Sequence, residues 1–234
     1  MLRFFGRGSA FEDIHNSAYF RNGDDLVLID CPLSAFNIIK KGALTDGVKR
    51  IKVAITHTHS DHTGGLPLLI HYAFYLFHIP VLVIAPSEEV KADLLYLIDR
   101  LDGCDPSGYE LITADKAEED WLLSVIPTSH TPALEGRCFG YELSIDGVHT
   151  VYTGDTCITS PYVPYLTEGT ELYIEVCTRN SPVHLFIDDI IPFIREVEQK
   201  GVSVYLMHLD SEDKLEGIIR ESGVKARFAP LISQ

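Results

Sequence analysis

The sequence predicts an α/β protein built from two β-sheets covered by helices. Short apolar or β-branched runs come in series, helical stretches separate them at intervals, and each half of the chain ends in strand and helix pairs. The 234 residues, 46% of them hydrophobic, can fill the core of one full-sized domain spanning residues 1–234. No internal repeat or low-complexity linker divides them.

The N-terminal third reads as strands at Leu2–Phe5, Ser17–Phe20 and Leu26–Asp30, with Asn22-Gly23 forming a tight hairpin between the last two. A helix follows Pro32 over Ser34–Lys41, then a strand over Ile51–Ile55. Helices at Leu66–His78 and Glu88–Leu101 flank a buried strand, Val81–Ile84. Further strands are expected at Leu122–Pro127, Cys138–Ile145, His149–Tyr152 and Leu172–Val176. The chain closes with a helix over Ile187–Lys200, a strand over Val204–Met207, a helix over Asp213–Ser222 and a strand near Lys225–Ala229.

Composition excludes several classes of function. With 19 Lys and Arg against 34 Asp and Glu, the net charge is −15, which disfavours long nucleic acids as partners. A small anion held by metal stays compatible with that charge. Cys31, Cys104, Cys138, Cys157 and Cys177 include no CxxC pair, so reduced thiols in a cytoplasm are expected rather than a disulfide framework or a thiolate zinc site. The start, MLRFFGRGSAFEDI, lacks a sustained apolar stretch with a cleavage site, so no signal peptide is expected. Thr63–Ser87 carries no Asp, Glu, Lys or Arg, but Pro67 and Pro80 bracket a helix too short for a bilayer. No membrane association is expected.

The strongest motif is Thr56-His57-Thr58-His59-Ser60-Asp61-His62, directly after an apolar strand. Three imidazoles and a carboxylate so close together are costly to bury without a partner. In an extended turn His57 and His59 point the same way, while Asp61 and His62 face a second point beyond the bend. Imidazole and carboxylate suit zinc or manganese, so the spacing reads as half of a two-metal site. His130, Asp155 and His208 each follow a strand, the position from which the remaining ligands can be presented.

On HxHxDH and these spaced His, Asp and His residues, the chain resembles the metallo-β-lactamase superfamily from Gly6-Arg7-Gly8-Ser9 to His208. The resemblance implies a four-layer αββα sandwich in a single domain. It assigns His57, His59 and His130 to one divalent ion and Asp61, His62 and His208 to the other, with Asp155 bridging. The opening GRGSAF, His15-Asn16-Ser17-Ala18 and His184 are similar to the ribonuclease Z-like phosphodiesterase branch, which includes the anti-Pycsar cyclic-nucleotide phosphodiesterases. In that branch a histidine placed like His184 protonates the leaving oxygen, and Glu175 is the candidate to orient it. Leu185 and Phe186 stand where the branch usually has Ser or Thr, and His184 could instead cap the following helix.

The function expected is hydrolysis of a small phosphodiester, a cyclic nucleotide foremost, by metal-bound hydroxide oriented by Asp61, with two zinc or manganese ions as cofactors. A tRNA 3′-processing endonuclease is the alternative within the branch. Only residues 131–154 separate His130 from Asp155, leaving no room for the tRNA-gripping arm, and Asp102–Asp120 is strongly acidic. A lactone or thioester hydrolase shares the metal chemistry and stays open, and an intact ligand set argues against a non-catalytic sensor. Arg7, Arg137 and Arg179 are candidates to pair with phosphate, and His15 to reach the substrate or close its loop. His71, His78 and His149 read as structural, and Cys157 as a packed side chain. Leu66–Phe77 is apolar nearly all round, so it is expected to be buried in its own domain or against a partner. Ribonuclease Z-like proteins pair through helices in this region, which implies a homodimer.

Overall fold

The computed structural model describes residues 1–232. Strands β1 (Arg3–Gly6), β2 (Ser17–Asn22), β3 (Asp25–Ile29), β4 (Arg50–Ala54), β5 (Val81–Ala85) and β6 (Tyr109–Thr113) form the first sheet in that order. The first three pair antiparallel and β3 to β6 run parallel. The second sheet runs β12-β11-β10-β9-β8-β7. Its strands are β7 (Leu122–Thr128), β8 (Cys138–Ile145), β9 (Val148–Tyr152), β10 (Glu171–Glu175), β11 (Ser203–Met207) and β12 (Arg227–Phe228). Here β7 to β9 are antiparallel and β9 to β12 parallel, so the second half repeats the plan of the first.

Side-chain alternation builds the layers, because successive residues of a strand face opposite sides. Leu26 and Leu28 of β3, Ile51 and Val53 of β4, and Val81 and Val83 of β5 enter one core. It is completed by α1 (Leu33–Ile39), α3 (Leu66–Tyr72) and α4 (Glu88–Leu95). Val27, Ile29, Ala54, Leu82 and Ile84 point the other way, into a central core shared with Tyr141, Tyr152, Tyr173, Tyr205 and Met207 of the second sheet. Leu172, Ile174, Val204 and Leu206 face outward again beneath α5 (Ile187–Gln199) and α6 (Glu212–Ser222). The result is the four-layer αββα sandwich that the resemblance implied. Both faces of the central strands are covered, which is why they read as continuous apolar runs.

Local signals set the ends. Gly23, at φ 59°, turns β2 into β3 with Asn22 opposite Asp25. The Ser87 hydroxyl accepts from the Val90 N–H at the start of α4, and Gly223, at φ 73°, stops α6. Strand β6 was not anticipated: it lies at a sheet edge, and its half-exposed residues carry little apolar pattern. The helices expected at Leu66–His78 and Glu88–Leu101 end in wider π-type turns over Ala73–Phe77 and Tyr96–Leu101. Nor is the apolar segment after Leu66 wholly covered: Leu68, Tyr75 and Leu76 are exposed. Among the described residues no helix is long and apolar enough to cross a membrane.

Candidate metal centre

Strands from both sheets deliver their C-terminal ends to one edge. Beyond β4 lies His57, beyond β7 His130, beyond β9 Asp155 and beyond β11 His208, while Glu175 is the last residue of β10. The short helix α2 (Ser60–Thr63) follows His59 and carries Asp61 and His62. Gly154 precedes Asp155 at φ 59°, where a Cβ would stand 2.5 Å from the Phe139 carbonyl oxygen. Only glycine allows the chain to turn there and aim Asp155 inward.

Two donor groups form around that carboxylate. His57, His59, His130 and Asp155 each offer an atom within 4.8 Å of the others, and so do Asp61, His62, Asp155 and His208. The groups share Asp155, whose Oδ1 is 3.4 Å from His62 Nε2 and whose Oδ2 is 3.3 Å from His208 Nε2. His57 Nε2 and His59 Nδ1 lie 3.0 Å apart. His62 Nε2 and Asp155 Oδ1 are buried with no hydrogen-bond partner among the described residues.

Backbone and side-chain acceptors fix which ring nitrogen faces inward. His130 Nδ1 donates to the Val183 carbonyl at 2.7 Å, leaving Nε2 for the centre. His62 Nδ1 donates to Asp30 Oδ2 at 2.7 Å. Asp30 also accepts from the Thr56 N–H and hydroxyl, each at 2.8 Å. Outer partners of this kind orient metal-binding histidines. Asp30 and His208 both adopt left-handed backbone, at φ 63° and 53°, a conformation costing about 1–2 kcal/mol that surrounding structure must hold.

Electrostatics divides the donors. Burial holds His57, His59 and His130 below the usual imidazole range, so they are neutral and free to ligate. Burial also opposes charge on His62 and His208, but the Asp155 carboxylate, joined by Asp30 for His62 and Asp61 for His208, raises both. Burial would raise Asp61 too, yet its hydrogen bonds with His208 and His62 hold it low. The carboxylates of Asp61 and Asp155 therefore stay charged in a buried place and require positive charge opposite them. Oxygen and imidazole donors around unsatisfied inward-facing atoms fit divalent cations of zinc or manganese type, which displace such protons.

His184 sits at the rim, its ring centroid 5.2 Å from that of His208 and 4.8 Å from that of His130. Its Nδ1 donates to Glu175 at 3.0 Å. Burial pushes Glu175 up against the opposing effect of His184, while for His184 burial is outweighed by the Glu175 hydrogen bond and its pKa is raised to about 9. No side chain caps α5, so capping is not the role of His184. A cleft of about 250 Å³ opens beside it, lined by Ser9, Phe11, Arg179, His184, His208 and Asp210 among others.

Of the three arginines, only Arg179 reaches this cleft. Arg7 donates through Nε and Nη2 to Glu212 at 2.7 Å, and Arg137 donates to Asp93 at 2.9 Å, so the expectation that they pair with phosphate is corrected: both are committed elsewhere. The His15 N–H donates to Ser34 Oγ at 3.0 Å and closes the loop before β2. Sequence reasoning missed Asp30, whose part rests on the contacts that Thr56 and His62 make with it. It also passed over Phe11, which is 98% exposed.

The profile of the family described as Anti-Pycsar protein Apyc1 matches residues 1–96. The chain is 28% identical to the Anti-Pycsar protein Apyc1 of Bacillus phage BSP38, over 97% of this chain and 94% of the relative. Among solved structures it is similar to the metallo-β-lactamase fold protein YhfI from Bacillus subtilis, with a TM-score of 0.76, 14% identity and coverage of 98% and 95%. Human tRNase Z, short form (ELAC1), gives a TM-score of 0.66 at 17% identity, covering 99% and 97%.

Proposed function

We propose that this metal-dependent hydrolase of the metallo-β-lactamase fold cleaves a small phosphodiester, with a cyclic nucleotide as the substrate class. The carrying observation is the pair of donor groups sharing Asp155, with the His184–Glu175 pair at their rim. Similarity to the anti-Pycsar proteins along nearly the whole chain supports the substrate class.

In this reading His57, His59, His130 and Asp155 hold one divalent ion, and Asp61, His62, His208 and Asp155 hold the second. Such a pair supplies positive charge for the phosphoryl oxygens and a water of lowered pKa. Zinc suits the imidazole-rich set, and manganese is the second choice. Asp61 accepts a hydrogen bond from the attacking water and fixes its direction. His184, whose Nδ1 is held by Glu175, gives its Nε2 proton to the leaving oxygen as the P–O bond breaks. Arg179 borders the cleft and offers a guanidinium to a phosphate oxygen, and Phe11 offers an aromatic face.

The cleft admits a small ligand more readily than a folded RNA. Residues 131–154 are taken up by a short turn and the β8–β9 hairpin, which packs into the sandwich, and the net charge of −15 opposes a polyphosphate. The five free cysteines suit a reducing cytoplasm. A homodimer through the α3 and α4 region completes the reading.

Product analysis of zinc- or manganese-loaded protein against 3′,5′-cyclic nucleotides tests the activity. Linear monophosphates formed by the wild type and not by Asp61→Ala are the expected result. Untouched cyclic nucleotides, with turnover of a lactone or thioester instead, would overturn the phosphodiesterase and leave the metal centre standing.

A further inference from the structure

A second group of metal-type donors lies on the opposite wall of the first sheet, among residues the hydrolytic reading does not use. His71 is in the last turn of α3, and Asp102 and Cys104 follow the π-type turn that ends at Leu101. One donor atom from each lies within 4.8 Å of the others. Cys104 Sγ is 3.6 Å from His71 Nε2. Zinc bonds of about 2.3 Å to sulfur and about 2.05 Å to nitrogen, at a tetrahedral angle, put the two donors about 3.6 Å apart.

The local backbone produces this convergence. Gly103, at φ 67°, turns the chain between Asp102 and Cys104, and a Cβ there would meet nothing within 4 Å. Left-handed backbone at this position, more than spare room, is what favours glycine. Cys104 is buried, His71 half-buried and Asp102 exposed, so an ion has a path in from solvent past the carboxylate. The same 3.6 Å approach also suits a weak hydrogen bond between the thiol and His71 Nε2, and the thiol lies 3.7 Å from the Pro67 carbonyl oxygen.

We propose that His71, Asp102 and Cys104 form a zinc site, separate from the hydrolytic centre, that ties α3 to the segment leaving α4, with water as the fourth ligand. Binding breaks the Cys104 S–H bond, places the thiolate pair on the metal and releases the proton to solvent, so affinity rises with pH. This site stands whether or not the hydrolytic reading does.

Cobalt(II) is the probe, because a thiolate ligand gives a near-ultraviolet charge-transfer band and the hydrolytic donor set contains no cysteine. Metal-free full-length protein titrated with cobalt should develop that band to a plateau within three equivalents per chain, two of which the hydrolytic donor groups take. The band should persist in His130→Ala and disappear in Cys104→Ala. Should Cys104→Ala fail to fold by circular dichroism, His71→Ala decides between the outcomes: half-saturation should need about ten-fold more cobalt or beyond. A missing band, a band that survives Cys104→Ala, or one appearing only at millimolar cobalt would each overturn the site.

Discussion

Glu175 is buried without solvent contact, and its nearest counter-charge is the His184 imidazole at 3.0 Å. Each residue controls the other: the carboxylate keeps a proton on His184 up to about pH 9, and the hydrogen bond leaves Nε2 as the atom that can give a proton away. If His184 is the acid, kcat falls on the alkaline side as His184 loses its proton, because the group must be charged to donate. Glu175→Gln keeps the shape and removes the charge, so that fall should move to lower pH, toward the ordinary imidazole value of about 6.5. His184→Ala should lower kcat by about 10²–10⁴-fold and abolish the titration. A pH–kcat profile unmoved by Glu175→Gln would remove Glu175 from this positioning role.

At the scale of elements, α3, α4 and their π-type extensions present Leu68, Tyr75, Leu76, Leu95, Tyr96 and Leu101 to solvent, the last at 65% exposure. Clustered apolar residues of this size on helices mark a contact surface. Charging that surface should split the assembly without touching the hydrolytic residues. Sedimentation should give a dimer of the 26.1 kDa chain for the wild type and the monomer for Leu76→Asp combined with Tyr96→Asp. A monomeric wild type would overturn the homodimer. This surface also shows where reading by pattern stops. The period of apolar residues marked Leu66–Phe77 as helical, but the side on which a neighbour lies depends on chain packing. Strand ends were legible because β4, β7, β9 and β11 are apolar runs interrupted by His or Asp just past their ends. Asp30 was not singled out, since its role depends on Thr56 and His62 coming back to it across the sheet. Likewise β6, half exposed at an edge, carries too little hydrophobic contrast to be seen beforehand.

For the whole molecule, the centre gathers buried charge where the two sheets meet. Loops after β4 belong to one sheet and those after β7, β9 and β11 to the other, so ligands held in common lock the two halves together. Divalent ions bound by the folded chain alone stabilise it by mass action, about 2.7 kcal/mol per site at free metal a hundred times Kd. The two ions proposed for this centre amount to about 5 kcal/mol, and for a domain of this length each kcal/mol moves Tm by about 2–4 °C. Loss of these two alone should therefore lower Tm by about 10–20 °C on chelation, and zinc returned in excess of chelator should restore it. Asp155 is common to both donor groups, so Asp155→Asn should lose most of this zinc response, more than His59→Ala, which belongs to one group. Differential scanning of the three proteins with and without zinc makes the comparison. Equal responses in the wild type and Asp155→Asn would mean that the stabilising metal lies elsewhere, and would break the link between the shared carboxylate and the joining of the two sheets.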